Sequence, residues 1–280
     1  MSDLVTVNHH DPVSGELRYS YVTSADPDRS GQVYSRTAYD LDDTHSWQSY
    51  TINTGYFGLE QARTTSIVAV LDDGSTMKTD YSYFGALASY PIQYLETWTR
   101  SDAEGNVRLV VENWDSPIDR FGGENEYYNR VMKYEAGSAD PYYVHTRYYD
   151  GPRESITYDR ENGNKDYVLN TWLDGRLKAE DYNPDTGLLD YVITRDDTGY
   201  RLVEDYDAQG RLDYVIETLA DGKTIARDHD PASGLLDYVI ETAADGRRVA
   251  TDYDLADEYS WESFTITYNA AGQIESAVLI

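Results

Sequence analysis

The feature that most constrains this chain is a sequence clause that returns about every 24 residues. The tetrapeptide Asp-Tyr-Val-Ile, or its Leu variant, begins at positions 166, 190, 213 and 237. Glycine also recurs at two fixed places in each copy. The first set is Gly163, Gly187, Gly210 and Gly234, and the second is Gly175, Gly199, Gly222 and Gly246. Two glycine-containing turns in each period predict two short strands in each repeat.

The residues between these turns alternate as half-buried strands do. In 212–218, Leu, Tyr, Ile and Thr fall on one face, whereas Asp, Val and Glu fall on the other. A single hairpin is only marginally stable in water, so stability must come from neighbouring hairpins that pack side by side. We therefore predict an all-β fold, an antiparallel meander of tandem β-hairpin repeats that forms a twisted or coiled, solenoid-like sheet.

No linker or low-complexity tract divides the chain, which predicts a single repeat domain over 1–280. Within it, 1–150 holds degenerate, loop-rich repeats, 151–254 the regular repeats and 255–280 a terminal capping repeat. The two ends resemble each other, because "YDLDDTHSWQSYTI" at 39–52 parallels "YDLADEYSWESFTI" at 253–266. This equivalence favours a packing role for Trp47 and Trp261. The segment 116–142 is the least regular and is predicted to form longer loops.

One repeat carries a family resemblance. Residues 206–212 read Tyr-Asp-Ala-Gln-Gly-Arg-Leu, and Asp221-Gly222 follow before the next unit. This clause resembles the YD repeat of Rhs-type proteins, and the match covers about 158–254. Other copies depart from the motif, since Leu188 and Leu235 replace the Arg and His229 replaces the Tyr. The resemblance implies extracellular or surface β-hairpin repeats, often associated with carbohydrate and sometimes forming a shell around a toxin.

Charge and composition exclude several classes of partner. The 51 acidic residues exceed the 23 basic residues, and the formal net charge is −28. Nucleic acids and anionic membranes are disfavoured, because both require Lys and Arg to neutralise phosphate. No apolar run has the length of a membrane-spanning helix, so no membrane insertion is predicted. Cysteine is absent, and 1–17 lacks the basic and apolar segments of a conventional signal peptide.

The sequence contains none of the common catalytic motifs, so we predict no catalytic residue and no enzyme activity. Asp and Glu are abundant, however, and a carboxylate pair of the glycosidase kind in the irregular 83–150 region stays an alternative. The repeated aspartates would repel each other if they were stacked in register, unless water, Arg or a bound cation relieved them. The weak Ca²⁺ candidates are Asp166, Asp190, Asp213 and Asp237.

Aromatic residues supply the candidate binding surface. The chain has 28 Tyr and five Trp, and one Tyr follows the repeated Asp in every regular copy. These tyrosines either form one wall of the core beside Leu and Ile, or form a surface on which sugar rings stack while Asp accepts hydroxyl hydrogen bonds. The candidate binding residues are Tyr167, Tyr191, Tyr214, Tyr238, Trp98, Trp114 and Trp172.

Together these features predict a non-enzymatic β-repeat protein that is extracellular, on a cell surface or part of a virion such as a tail fibre. Its aromatic-acidic surface would contact a surface glycan or a protein partner in a larger assembly. The alternatives are a carbohydrate-active enzyme and a purely structural scaffold or filament subunit. Exposed terminal strands could also pair copies of the chain into a homo-oligomer by strand addition.

Overall fold

The computed structural model describes residues 4–26, 29, 32–57, 61–84, 93–114, 127–149 and 151–280. Within this part of the chain there are 21 β-strands, all paired antiparallel, and no α-helix. The predicted all-β antiparallel meander of hairpin repeats is therefore confirmed. The strands belong to two compact units, 1–150 and 151–280. The boundary falls where the sequence changes from degenerate to regular repeats.

In the N-terminal unit each strand pairs with the strands before and after it along the chain. The strands are β1 (Leu4–His10), β2 (Leu17–Ser24), β3 (Val33–Tyr39), β4 (Trp47–Phe57), β5 (Gln61–Leu71), β6 (Thr76–Phe84), β7 (Gln93–Ser101), β8 (Val107–Trp114), β9 (Tyr127–Tyr134) and β10 (Pro141–Tyr148).

The C-terminal unit has the same sequential pairing. Its strands are β11 (Arg153–Tyr158), β12 (Lys165–Thr171), β13 (Leu177–Tyr182), β14 (Leu189–Arg195), β15 (Arg201–Tyr206), β16 (Leu212–Thr218), β17 (Thr224–His229), β18 (Leu236–Thr242), β19 (Arg248–Tyr253), β20 (Ser263–Tyr268) and β21 (Ile274–Leu279).

Each unit is a single layer of sheet. All extensive contacts between strands join neighbours along the chain, and no second layer of described residues packs on either face. No large side chain in the described residues is fully buried. The most buried apolar residues are Val168, Ala179, Val192, Val203, Val215 and Ala250. Burial must therefore come from side-chain contacts between adjacent strands.

Cross-strand rows on the two faces of the C-terminal unit show how this lateral packing works. One face, here called the Tyr face, carries a row in which large and small apolar residues alternate. It runs Leu169, Ala179, Ile193, Val203, Ile216, Ala226, Ile240, Ala250 and Ile266. The opposite face, the Val face, alternates Val168, Glu180, Val192, Glu204 and Val215. Large side chains can lean over small neighbours, and the methylene groups of Glu can cover Val.

The turns are stabilised by hydrogen bonds between residues that are close together in the sequence. In the 207–211 turn the Asp207 carboxylate accepts hydrogen bonds from the backbone N–H groups of Gln209 and Arg211, both at 2.9 Å. Gly210 then has φ of 74°, in the left-handed region that a side chain disfavours. Arg211 Nε adds a bond of 2.8 Å to the same carboxylate. This accounts for the Asp-x-x-Gly-Arg clause in the repeat.

A β-bulge recurs at the same position of each regular repeat. Asp205 lies opposite Tyr214 and Tyr206 lies opposite Leu212, so Asp213 is an extra residue with no partner of its own. The same shift leaves out Asp166, Asp190 and Asp237. The four repeated aspartates are therefore bulge residues, each without a paired residue on the preceding strand. A bulge of this kind re-aims the side chain that it carries.

The similarity between the two ends of the chain extends to local geometry. Asp43 and Asp257 occupy equivalent sequence positions and both have positive φ, 51° and 54°. His45 stacks on Trp47 and Tyr259 stacks on Trp261, each with ring centroids 4.9 Å apart. The packing role expected for the two tryptophans agrees with these contacts.

The segment 116–142 is more regular than its sequence indicates. Residues 127–134 form β9, and β10 begins at Pro141. The prediction of long loops is wrong for these residues, because 129–133 pair with both β8 and β10. The rest of the predicted loop, 116–126, lies outside the described residues.

Candidate functional site

Four of the predicted binding residues lie in one row on the Tyr face of the C-terminal unit. The pairings alternate Tyr and Asp on successive strands from β12 to β19. We call this row the Tyr–Asp ladder, and it consists of Tyr167, Asp181, Tyr191, Asp205, Tyr214, Asp228, Tyr238 and Asp252. Since neighbouring strands are about 4.8 Å apart, successive tyrosines lie about 10 Å apart across the sheet.

The ladder is open to solvent. Tyr167 is 37% exposed, and the other three tyrosines are half-buried. They share their face with the Leu169 row, as the sequence predicted, but no second layer of described residues covers that face. Burial raises the pKa of Tyr238, with smaller contributions from Tyr268 and Asp252. These tyrosines are thus partly embedded among their strand neighbours and partly exposed.

The carboxylates of the ladder are crowded by those of the bulges. Burial raises the pKa of Asp181, and the negative charges of Asp166 and Asp190 raise it further. Burial likewise raises the pKa of Asp205, to which Asp190 and Asp213 add. The bulge aspartates therefore stand close enough to the ladder to act on it electrostatically.

The same crowding continues towards β18, where Asp237 is itself a bulge residue. Burial raises its pKa, followed by the charges of Asp228, Asp252 and Asp230. No ion pair within residues 151–280 uses a carboxylate of the ladder or of the bulges. The result is a band of carboxylates without ion pairs, one on each strand from β12 to β19, in which Asp166 accepts a hydrogen bond of 3.4 Å from the Thr157 hydroxyl.

A band of this composition has a defined chemistry. Half-exposed Tyr rings offer apolar faces with a polar tip, and carboxylates accept strong hydrogen bonds from hydroxyl groups. Because the pattern repeats every second strand, it suits a ligand that is itself a repeating, hydroxyl-rich chain.

The three predicted tryptophans are not brought together. Trp98 on β7 is 44% exposed and lies opposite Thr79 and Val111. Trp114 on β8 is half-buried and points to the other face of the N-terminal unit, as its pairing with Leu95 shows. Trp172 lies in a turn of the C-terminal unit, where the Arg176 guanidinium stands 5.2 Å from its ring centroid. Each tryptophan therefore has a separate environment.

The carboxylates of the 83–150 region show no facing pair among the described strands. Glu96 pairs with Asn113 and Glu112 pairs with Thr97, which places the two glutamates on opposite faces. Glu112 accepts a 2.6 Å hydrogen bond from the Tyr127 hydroxyl. Burial is the main cause that raises the pKa of Tyr127 to about 12, and the bond to Glu112 adds to it. Asp115, Asp119, Glu124 and Glu126 lie outside the described residues.

No group of three or more His, Asp or Glu side chains in the described part of the chain is arranged to hold a metal ion. The calcium candidates Asp166, Asp190, Asp213 and Asp237 are thus distributed along the band, one on every second strand. The tyrosines of the YD clauses have another role. Tyr182 and Tyr206 lie on the Val face, where burial and the neighbouring Glu180 and Glu204 raise their pKa values.

Sequence reasoning missed the aspartates that complete the ladder. They precede the YD clause in each repeat, as Asp181, Asp205, Asp228 and Asp252. This recurrence was visible in the sequence, but only the strand register shows that these residues, and not the bulge aspartates, stand opposite the tyrosines.

Within the described residues, no helix is long and apolar enough to cross a membrane. Comparison of the chain with protein-family models and with curated proteins gave no match.

Proposed function

We propose that this chain is a non-enzymatic repeat protein that binds a glycan along its Tyr–Asp ladder. The observation that carries the proposal is the ladder itself, in which a partly exposed Tyr alternates with an Asp that forms no ion pair, across eight strands. A Tyr ring can stack on the C–H face of a sugar while the next Asp accepts hydrogen bonds from its hydroxyls.

The negative charge of the band favours neutral glycans over anionic ones. Asp181, Asp205 and Asp237 already repel their neighbours, as the causes of their raised pKa values indicate. An anionic polymer would add to this repulsion, whereas a neutral one would replace water at the carboxylates. We therefore propose a neutral, extended oligosaccharide or polysaccharide as the ligand. The spacing of the tyrosines, two strands apart, is comparable to the length of a disaccharide unit in such a chain.

The proposal includes a setting outside the cell, on a cell surface or in a virion, where such polymers are found. The YD-repeat resemblance supports this setting, because it implies extracellular or surface repeats. The Asp207 turn gives the Asp-x-x-Gly-Arg clause of that repeat a physical role. A protein partner that presents hydroxyl groups would use the same band.

The test is binding of neutral oligosaccharides, first on a glycan array and then by calorimetry. Replacing Tyr191 and Tyr214 together with alanine removes two adjacent rings of the ladder, and we expect affinity to fall at least tenfold. The matched control is Tyr206→Ala, which removes the same side chain from the same unit but from the Val face. Its affinity should stay near that of the wild type.

Two results would overturn the proposal. One is the absence of binding to any neutral glycan by folded protein. The other is equal loss of affinity in the ladder variant and in Tyr206→Ala, which would indicate a general effect on the fold. Incubation with polysaccharides and detection of products examines the enzyme alternative, since bond cleavage that depends on one carboxylate would replace a binding function with a catalytic one.

A further inference from the structure

The N-terminal unit contains a cationic cleft, which is unusual for a chain with net charge −28. The cleft has a volume of about 360 Å³ and is lined by side chains at the ends of β6 to β9. A second hollow of about 120 Å³ adjoins it and shares Arg100 and Leu109 with it. The first volume lies within the range of small-ligand sites. The two hollows, which meet at these shared residues, are together called the Arg100 cleft.

Strand register explains why cations collect here. Arg100 on β7 lies opposite Leu109 on β8, which lies opposite Lys133 on β9. The three residues therefore form one row on a single face, and Arg108 adds a third cation at the rim. No described residue forms an ion pair with Arg100, and Arg108 is 3.9 Å from Asp102.

The two acidic residues of the cleft are engaged by their own turns. Asp73 accepts hydrogen bonds from the backbone N–H and the hydroxyl of Ser75. Asp102 accepts bonds from the backbone and side-chain N–H groups of Asn106. In the larger hollow three cations against two carboxylates leave a formal charge of +1, and Lys78 of the smaller hollow is paired with Asp80 at 2.8 Å. Arg100 forms no ion pair with a described residue, and Lys133 Nζ stands 5.0 Å from the centroid of the Tyr143 ring, a contact that leaves N–H donors for a ligand.

The second hollow supplies an aromatic platform. Trp98 lies two residues before Arg100 on the same strand, so the two side chains share a face about 7 Å apart. The Trp98 ring is 44% exposed and lines this hollow together with Met77 and Leu109. An apolar ring surface thus stands beside a guanidinium group that is free to bind an anion in bidentate fashion.

We propose that the Arg100 cleft binds an acidic sugar, a pyranose ring that stacks on Trp98 and places its carboxylate against Arg100 and Lys133. The formal charge of +1 suits a monoanion such as a uronate better than a phosphate dianion. The remainder of the chain is strongly acidic, and salt screens its repulsion of anions at distances beyond about 10 Å. Recognition therefore depends on short-range contacts in the cleft, and it is independent of the Tyr–Asp ladder in the other unit.

The test is calorimetric titration of the full chain with tri-galacturonic acid and with its neutral galactose counterpart. We expect the acidic trimer to bind at least tenfold more tightly than the neutral trimer. Arg100→Gln and Trp98→Ala should each weaken binding of the acidic trimer about tenfold, the usual loss for a charge-assisted or aromatic contact.

Two controls separate this proposal from others. Arg201→Gln removes an exposed arginine from the C-terminal unit and should leave binding unchanged. The Tyr191 and Tyr214 double variant should also bind the acidic trimer normally, so failure of the ladder proposal would not affect this result. Circular dichroism of each variant confirms the fold.

The proposal is overturned if the acidic trimer does not bind, if the neutral trimer binds equally well, or if Arg100→Gln binds like the wild type. Inorganic sulfate serves as a further probe. Should sulfate compete fully while Trp98→Ala has no effect, the cleft is a simple anion site and the sugar assignment is wrong.

Discussion

Replacing Asp205 with asparagine is expected to stabilise the C-terminal unit. Asp205 lies in the Tyr–Asp ladder, and the bulge aspartates Asp190 and Asp213 act on it from both neighbouring strands. Each like-charged cross-strand pair costs roughly 0.2–1 kcal/mol, and the wet face places these two in the lower half of that range. Removing both repulsions should raise the free energy of unfolding by about 0.5–1 kcal/mol.

For a unit of about 130 residues, this gain corresponds to a rise in Tm of about 2–4 °C. Thermal unfolding followed by circular dichroism measures it. Since folding raises the pKa of Asp205, the charge destabilises the folded state at neutral pH, and that cost disappears as the pH falls through the raised pKa towards 3.8. The difference in Tm between variant and wild type should therefore vanish in acid.

The matched control is Asp207→Asn, which removes the same charge two residues away. Backbone and side-chain hydrogen bonds from Arg211 lower the pKa of Asp207, so its charge stabilises the fold. That stability is present above 3.8 and is lost as the pH falls through the lowered pKa. The control should unfold at a lower temperature than the wild type. Destabilisation by Asp205→Asn at neutral pH, or a stabilisation that persists in acid, would refute the reasoning.

Three further perturbations test the fold in the same thermal assay. Val192→Ala removes two methyl groups from a side chain only 4% exposed and should cost about 1.5 kcal/mol, whereas Val278→Ala, at a site 50% exposed, should cost less than about 0.5 kcal/mol. Equal effects would contradict the single-layer packing. Gly210→Ala should cost about 1–2 kcal/mol because φ is 74°. The added Cβ would meet Leu188 at 3.6 Å, an ordinary contact, so backbone strain is the cause. An unchanged Tm would show that the turn readjusts. Tyr127→Phe leaves Glu112 without its 2.6 Å donor and should destabilise the N-terminal unit by about 1–2 kcal/mol. In a titration, the variant should have one tyrosine fewer than the wild type that ionises near pH 12.

Much of the fold could be predicted because the residues that form each turn and strand are close together in the sequence. The clause from Tyr206 to Leu212 contains both the Asp207 cap and the Gly210 bend, so the turn is specified within a few residues. Alternation of side chains then predicts the strands on either side. The β9 strand was missed, since 127–134 lacks these turn signals and depends on its pairing with β8 and β10.

The candidate site could be predicted only in part. The row of Tyr167, Tyr191, Tyr214 and Tyr238 follows from the repeat, because equivalent residues of sequential hairpins share a face. Strict alternation of side chains along a strand, however, does not predict which aspartates stand opposite these tyrosines. A one-residue bulge changes the partner of every residue beyond it, and it arises from the geometry of two strands and their turn together.

The sequence by itself therefore determined the period, the strands, the turns and the row of tyrosines, because each depends on residues close together in the chain. Tertiary structure alone decided that Asp205 and its equivalents stand opposite those tyrosines, that the Tyr face stays uncovered, and that Arg100, Leu109 and Lys133 meet in one cleft. The physical reason is that the pattern of apolar residues shows only which side chains must be buried from water. What those side chains pack against, and which distant charges they bring together, depends on strand register and on the number of layers.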